Sequence, residues 1–149
     1  MTARTVAWTL AGIAAAGLTA GAQSADSTAT HYPAAAVDAS FAKGGTLLEI
    51  RNVRVLTATR TQGGEAELHA NDADIFHVLE GSATFLVGGT LTAARETAPG
   101  ETRGTGLDGG QTYELKTGDV ITIPAGVPHW FKSVEGRFRY YVVKVGAPK

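Results

Sequence analysis

The sequence predicts an all-β domain, an antiparallel sandwich or barrel preceded by a short helix. Short runs rich in β-branched and aromatic residues follow one another from residue 46 onward, with no helix-length pattern between them. The 149 residues include 19 glycines and 5 prolines, a composition typical of many turns between short strands. The length suits one domain. These observations favour a single antiparallel β domain.

The first 22 residues have the pattern of a secretory signal peptide. Arg4 precedes an apolar stretch over residues 6–18, and Ala20-Gly21-Ala22 offers the small residues that a signal peptidase reads. The apolar stretch is too short and too rich in Ala and Gly for a good membrane span. We therefore expect cleavage after Ala22 and a periplasmic or secreted protein. An N-terminal anchor helix that is never cut is the alternative.

The composition argues against several classes of function. A net charge of −1 provides no basic surface for nucleic acid. No later apolar run is long enough to cross a bilayer, so no membrane partner is expected once the signal is removed. Cysteine is absent, which excludes disulfides, a thiol nucleophile and a thiolate metal ligand.

Residues 23–45 are predicted to form a lead and a short helix. Residues 23–32 are small and polar, as in a flexible segment. Pro33 suits a first helical turn, Val37 and Phe41 lie on one helix face, and Gly44-Gly45 would end the helix. The pattern predicts this helix over residues 33–42.

The β domain is predicted over residues 46–149. Its strand-like runs are residues 47–50, 53–57, 75–79, 83–87, 112–115, 120–123 and 138–145. Glycine-containing turn signals separate these runs, including Glu80-Gly81 and Glu135-Gly136. Residues 89–111 interrupt the rhythm because they are polar and glycine-rich. This segment is either a loop over the barrel mouth or a mobile surface insertion.

The clearest motif lies between Gly118 and Trp130. An apolar run enters a Pro-Ala-Gly turn, and His129 leaves it, so the turn fixes the direction of the imidazole. The pattern Gly118-x5-Pro124-x-Gly126-x2-His129 resembles the second motif of the cupin family. It departs only at a final Asn, where this chain has Lys132 or Ser133.

A second, upstream pattern is similar in spacing to the first cupin motif. It reads Glu67-x-His69-x4-Asp74-x6-Gly81, with Glu67 in place of a histidine and Asp74 in place of a glutamate. The resemblance spans roughly residues 47–145. It implies a double-stranded β-helix, or jelly-roll barrel, with a metal ion in its mouth, and it implies frequent homodimers.

Four side chains are expected to converge in this mouth. Glu67 and His69 share a strand face, because side chains repeat every two residues, and Asp74 begins the next strand. His129 arrives from the opposite turn. This mixed set of nitrogen and oxygen ligands suits a divalent ion such as Zn, Mn, Ni or Fe(II). Asp74 is one methylene shorter than Glu, so it either reaches the metal through water or orients an imidazole.

The alternative is a metal-free barrel that has kept the glycines and prolines of its turns while its ligands drifted. The two replacements, Glu67 and Asp74, are the kind of change that such loss of metal ligands would produce. His129 would then be a hydrogen-bonded histidine at the mouth.

Ring-bearing residues and one arginine are candidates for substrate binding. Aromatic side chains line pockets for apolar or ring-shaped ligands, and an arginine in the 89–111 segment can bind a carboxylate, alone or with Arg95. The candidates are Phe76, Phe85, Tyr113, Phe131 and Arg103. His77 and Trp130 are expected to face away from the site, and no role is expected for His31.

The function that these residues favour is a metal-dependent enzyme on a small organic molecule. Isomerase, lyase or dehydratase chemistry fits best, with Glu67 or Asp74 as the proton acceptor. A non-haem Fe(II) dioxygenase is one alternative, since two histidines and a carboxylate form its ligand set. A non-catalytic barrel that binds a sugar or an aromatic acid is another. The third is an oligomer in which strand 138–145 supplies a dimer edge.

Overall fold

The computed structural model describes residues 29–146, and one compact unit begins at Tyr32. The predicted signal peptide over residues 1–22 and most of the predicted lead lie outside the described residues. Within residues 29–146, no helix has the length and apolar character needed to span a membrane.

The predicted N-terminal helix is confirmed as α1, Ala34–Lys43. Pro33 is its N-cap residue in an extended conformation, so the helix begins one residue later than the sequence pattern predicts, and Gly44 ends it at a φ of 69°. Phe41 is the buried residue of the helix. Its ring meets the ring of Tyr141 edge-on, with centroids 5.2 Å apart. One aromatic side chain therefore attaches α1 to the outside of the sheet.

Eleven strands form the rest of the described chain, which confirms the predicted all-β class. They are β1 (Gly45–Ile50), β2 (Val53–Arg60), β3 (Ala66–His69), β4 (Asp72–Val87), β5 (Thr90–Thr92), β6 (Arg95–Ala98), β7 (Glu101–Gly104), β8 (Gly106–Asp108), β9 (Gln111–Lys116), β10 (Val120–Ile123) and β11 (His129–Gly146). Nine of them make one antiparallel sheet, and β5 and β8 make a separate pair. One path through this sheet has the order β1-β2-β11-β3-β7-β6, and β4 branches from it by pairing with β11, β9 and β10.

The predicted strands 75–79 and 83–87 are one long strand, β4, and the predicted strand 138–145 extends back to His129 in β11, so the turns predicted at Gly81 and Gly136 were wrong. Both glycines have positive φ, 84° at Gly81 and 65° at Gly136. Each nevertheless lies inside a strand that keeps the same antiparallel partner on both sides of the glycine. β11 pairs with the two halves of β4 in turn, with register shifts between Phe131 and Ser133 and between Glu135 and Tyr140. Glycines and bulges bend a strand without ending it, which local composition does not distinguish from a turn.

The bend in β4 closes the barrel around an aromatic core. Phe76 and Phe85 are nine residues apart, which is about 30 Å along a straight strand. Their ring centroids are nevertheless 5.6 Å apart. The two halves of the strand therefore face each other. The buried cluster between them includes Val78, Leu115, Ile123, Phe131, Phe138, Tyr140 and Val142.

The segment over residues 89–111 forms four short strands. It is therefore not an irregular loop, although Glu101 and Arg103 of this segment do line the cavity beside the candidate ligands. β7 pairs with β3, which places Glu101 opposite His69 and Arg103 opposite Glu67. A segment without hydrophobic periodicity thus becomes an extension of the sheet because its backbone pairs with β3.

The predicted dimer edge at residues 138–145 was also wrong. This half of β11 pairs with β2 on one side and with β4 on the other, so its backbone groups are already bonded. The ends of the sheet path are β1 and β6.

Replacing Gly81 by Ala should destabilise the protein far more than replacing Gly118 by Ala. Both residues have positive φ, but an added Cβ at Gly81 would lie 2.4 Å from the carbonyl oxygen of Arg137, whereas Gly118 has open space. We expect a loss of about 1 kcal/mol for Gly118→Ala from backbone strain alone, and roughly 3 kcal/mol or more for Gly81→Ala. Urea denaturation measures both. Equal losses of unfolding free energy in the two variants would show that the close contact between the added Cβ and Arg137 does not destabilise the protein.

Candidate metal centre

Backbone pairing brings the two sequence motifs together. His129 pairs with Glu67 across β11 and β3. The Pro-Ala-Gly turn before His129 is attached to the same strand, because the Gly126 N–H donates to the carbonyl oxygen of His69 at 2.8 Å. Gly126 has a φ of 77°, which favours glycine at this position of the turn. The turn thus fixes the position of one histidine relative to the other.

Three of the four predicted ligands form one candidate metal-binding group, and Asp74 lies beside its two histidines. Glu67, His69 and His129 each offer an atom within 4.8 Å of the others. The Asp74 carboxylate oxygen Oδ2 lies 3.4 Å from His69 Nε2 and 3.5 Å from His129 Nε2. Glu67 Oε2 lies 3.4 Å from His69 Nε2. Two ligand atoms bonded tetrahedrally to an ion at about 2.1 Å are ~3.4 Å apart, so these spacings match metal coordination.

Both histidines direct the same nitrogen into this space. His69 Nδ1 is 2.6 Å from the carboxylate of Glu101, and His129 Nδ1 is 3.3 Å from the carbonyl oxygen of Val127. Each Nδ1 therefore has an acceptor for its proton. Both Nε2 atoms are buried and have no hydrogen-bond partner among the described residues. An imidazole held at Nδ1 with a free, buried Nε2 is the arrangement of metal-binding histidines, so these residues fit a metal ion.

Three cations share the carboxylates of this cluster. Lys144 Nζ lies 2.8 and 3.0 Å from the two oxygens of Asp74, which is 2% exposed. Arg103 forms a salt bridge with Glu67 Oε1, and Arg60 Nη2 lies 3.6 Å from the same oxygen. Buried carboxylates need such partners, because an unpaired charge removed from water costs several kcal/mol.

The ionisation of three of these groups follows from burial and neighbouring charges. Burial opposes the charged form of Glu67, but its contact with His69 and the charge of Arg103 outweigh burial and lower its pKa to about 2. Burial lowers the pKa of His129, against the opposing effect of Glu67 and Asp74. At neutral pH, Glu67 is therefore an anion and His129 has a free lone pair.

His69 differs from His129. Burial opposes its protonation, but the carboxylates of Glu67, Asp74 and Glu101 outweigh burial and raise its pKa. The same carboxylates that hold this ring would therefore also attract a divalent cation to it.

A cavity of about 310 Å³ lies beside the cluster. Among the predicted substrate-binding residues, Phe76, Phe131 and Arg103 line it. Phe85 is fully buried in the core, with its ring 5.9 Å from that of His129. Tyr113 is on β9 and lines a different cavity, so the fold does not bring it to the cluster. A larger cleft of about 660 Å³ lies beside α1, away from the four ligands.

The residues expected to lie elsewhere do so. His77 is exposed on the outer face of β4. Trp130 donates from Nε1 to the carbonyl oxygen of Gly64 at 2.7 Å. Arg95, by contrast, was a candidate for ligand binding together with Arg103, and it instead bonds the exposed carboxylate of Glu65. His31 is exposed.

Sequence reasoning missed Arg60, Glu101 and Lys144, which all line the cavity. For Lys144 the signal was available, because Tyr140, Val142 and Lys144 alternate on one face of an apolar strand. Alternation of Leu56, Ala58 and Arg60 on β2 would likewise have directed Arg60 inward. Glu101 had no such signal, because its position depends on the pairing of β7 with β3.

The low pKa of Glu67 predicts a specific loss of stability in acid. A carboxylate with a folded pKa of about 2 and an ordinary value of 4.5 stabilises the protein fully above about pH 4.5 and loses this effect as pH falls toward 2. The shift corresponds to about 3 kcal/mol. In the presence of a chelator, Glu67→Gln should therefore be less stable than wild type at pH 6 by up to this amount, with the gap closing toward pH 2.

Glu65→Gln is the matched control, because Glu65 is exposed and its ion pair with Arg95 is screened by solvent. Urea denaturation between pH 2 and pH 7 measures all three proteins. A gap between wild type and Glu67→Gln that stays constant over this range would contradict the assigned pKa.

Comparison with known proteins agrees with this geometry. Residues 97–144 match the family model described as a cupin domain. The match contains His129 and Lys144 but begins after Glu67, His69 and Asp74. No curated protein matches the sequence.

Several solved structures share the fold. A Bacillus halodurans protein has 17% identity and a TM-score of 0.52, over 71% of each chain. The cupin domain of Schizosaccharomyces pombe Cnp3 has 15% identity and a TM-score of 0.51, over 70% of this chain and 60% of its own. A Ralstonia eutropha protein, provisionally described as a mannose-6-phosphate isomerase, has 16% identity and a TM-score of 0.50, over 70% of this chain and 83% of its own.

Sequence identities of 15–17% show that these proteins share a fold with this chain, but they do not show a shared activity. The chain therefore has the cupin fold, it matches the cupin domain over residues 97–144, and its barrel holds a candidate metal site of Glu67, His69 and His129.

Proposed function

We propose that this protein binds a divalent metal ion, Zn, Mn, Ni or Fe, in its barrel and acts there on a small organic molecule. The observation that carries the proposal is the pair of buried, unpartnered Nε2 atoms that converge on two carboxylates. His69, His129 and Glu67 would hold the ion, with Asp74 as a fourth group. The adjoining cavity of about 310 Å³ is of a size for a small ligand.

The chemistry we favour is that of an isomerase, lyase or dehydratase. A bound ion supplies Lewis acidity to an oxygen of the ligand. The low pKa of Glu67 suits a ligand better than a proton acceptor, because a general base works best with a pKa near the working pH. We assign proton transfer to Asp74 on its position, because its Oδ2 lies within 3.5 Å of both Nε2 atoms and Lys144 holds its carboxylate in place.

Metal content of histidine variants tests the proposal. His69→Ala and His129→Ala should each lower bound metal at least about tenfold, since each removes one of only two nitrogen ligands. His77→Ala is the matched control, because this histidine is exposed on the opposite face of β4. Elemental analysis after dialysis against each ion measures the content. Wild-type metal content in both cavity variants would remove the proposal.

Lys144→Met separates a metal site from a fixed ion-pair network. In chelator, the variant should be destabilised by roughly 3 kcal/mol, because Asp74 remains buried without its cation. A divalent ion should then raise the melting temperature of the variant more than that of wild type, because the ion replaces the missing charge.

Thermal denaturation with and without each ion measures this effect, and Lys132→Met, at an exposed lysine, is the control. A destabilised Lys144→Met that no ion rescues would contradict a metal next to Asp74.

A second candidate function is a non-catalytic barrel that binds a sugar or an aromatic acid. The observation that favours it is the charge balance of the cavity, where Arg103 neutralises Glu67 and Lys144 neutralises Asp74 without any ion. This candidate predicts ligand-dependent thermal stabilisation that persists in chelator. Loss of all such stabilisation in chelator would exclude it.

Three further proposals rest on sequence features. The N-terminal pattern supports export to the periplasm or beyond. The two-histidine, one-carboxylate set supports an Fe(II) dioxygenase as a variant of the metal proposal. A homodimer remains a prediction, without the β11 edge that the sequence suggested.

A further inference from the structure

Arg60 is the least committed of the three cations in the cavity. Lys144 makes two hydrogen bonds to Asp74, and Arg103 is in direct contact with Glu67. Arg60 Nη2 approaches Glu67 only to 3.6 Å, which is too long for a hydrogen bond. Among the described residues, neither terminal nitrogen of Arg60 has a hydrogen-bond acceptor. Two guanidinium nitrogens are therefore available at the cavity wall.

The guanidinium of Arg60 is nevertheless held in place. Its Nε–H donates to the Tyr140 hydroxyl at 2.9 Å, and its carbon lies 4.7 Å above the centre of the Phe131 ring. The side chain is 25% exposed. A guanidinium that is held at Nε and stacked on an aromatic ring loses little conformational entropy when its terminal nitrogens bind an anion.

Tyr140 adds a donor beside this fork. It is 4% exposed, and burial raises the pKa of its hydroxyl, so the proton remains at neutral pH. The hydroxyl oxygen accepts from Arg60, which leaves the O–H bond free to donate. Arg60 and Tyr140 together offer three donors to one ligand group.

The rest of the wall indicates what this ligand carries. Leu56, Ala58, Phe131 and Val142 line the same cavity, which gives it an apolar side. A fully hydrated inorganic anion gains little from such a wall, whereas an organic acid buries carbon against it. A carboxylate also matches a guanidinium fork through two parallel hydrogen bonds.

We propose that Arg60 and Tyr140 bind the carboxylate of a small organic acid whose carbon skeleton lies in the cavity beside the metal site. The inference deepens the proposed function, since it names the substrate class of that site. It assigns no step of the reaction to Arg60, which is a binding residue. It requires the acid to be small, because the cavity holds about 310 Å³.

The rival explanation is that Arg60 is only a second counter-ion for Glu67. A counter-ion role depends on charge, so Arg60→Lys would preserve it. A carboxylate-binding role also depends on the fork and on the contact with Tyr140, which lysine lacks. The two explanations therefore differ in what Arg60→Lys retains.

Calorimetric titration of the metal-loaded protein tests the proposal. The probes are benzoate and succinate, with benzamide and succinamide as uncharged molecules of the same shape. Wild type should bind at least one acid and should bind its amide at least about tenfold more weakly. Arg60→Met should lower acid affinity by about tenfold or more, Arg60→Lys by an intermediate factor, and Tyr140→Phe by several-fold.

Arg137→Met is the matched control, because Arg137 is 60% exposed and pairs with Glu80 away from the cavity. It should leave acid affinity unchanged. Metal content and melting temperature are measured for every variant, so that a folding defect is recognised. Tyr140→Phe provides a second, milder variant if Arg60→Met does not fold.

The outcomes separate this inference from the proposed function. Acid affinity that is equal in wild type, Arg60→Met and Arg60→Lys would overturn it, and so would equal affinity for acids and amides. No binding of either acid at millimolar concentration would also overturn it. Acid binding that depends on Arg60 in a protein that holds no metal would support it while removing the metal proposal.

Discussion

The antiparallel pairing of β4 with β11 is the interaction on which the structure depends. Each strand is long enough to run through both faces of the barrel, and β11 follows the bend of β4 by shifting register at bulges. The bend places Phe76 against Phe85 and so forms the core. The same pairing carries His129 to the rim beside β3 and Lys144 to a position next to Asp74. The site therefore exists only once these two strands are paired.

The main energetic constraint on the site is the burial of charged side chains. Glu67, Asp74 and Glu101 bring negative charge into a partly enclosed space, where ionised groups are unfavourable unless they are paired. The protein pairs them with arginine, lysine and histidine. Within this site, the two Nε2 atoms are the buried groups for which the described residues provide no hydrogen-bond partner. A divalent ion would bond both Nε2 atoms. A metal site therefore explains this arrangement better than ion pairs alone, which leave both atoms without a hydrogen-bond partner.

Much of the fold could be predicted, and the errors have two physical causes. Runs rich in β-branched and aromatic residues located β1, β2, β4, β9, β10 and β11, and helix signals located α1 to within a residue. The signals at Gly81 and Gly136 were misread, because a glycine with positive φ serves both a reversal and a bend within a strand. Residues 89–111 were misread as irregular, because their strands follow from pairing with β3 rather than from their own hydrophobic pattern.

The sequence by itself determined the fold class and predicted the three side chains of the candidate metal group, Glu67, His69 and His129. Alternation along a strand puts Glu67 and His69 in reach of one space, and the Pro-Ala-Gly turn directs His129, since both are local properties of the backbone. Only the tertiary structure decided which charges surround them. Glu101, Lys144 and Arg60 reach the site through strand pairings far apart along the chain, and register between distant strands is set by the closed barrel rather than by any local pattern.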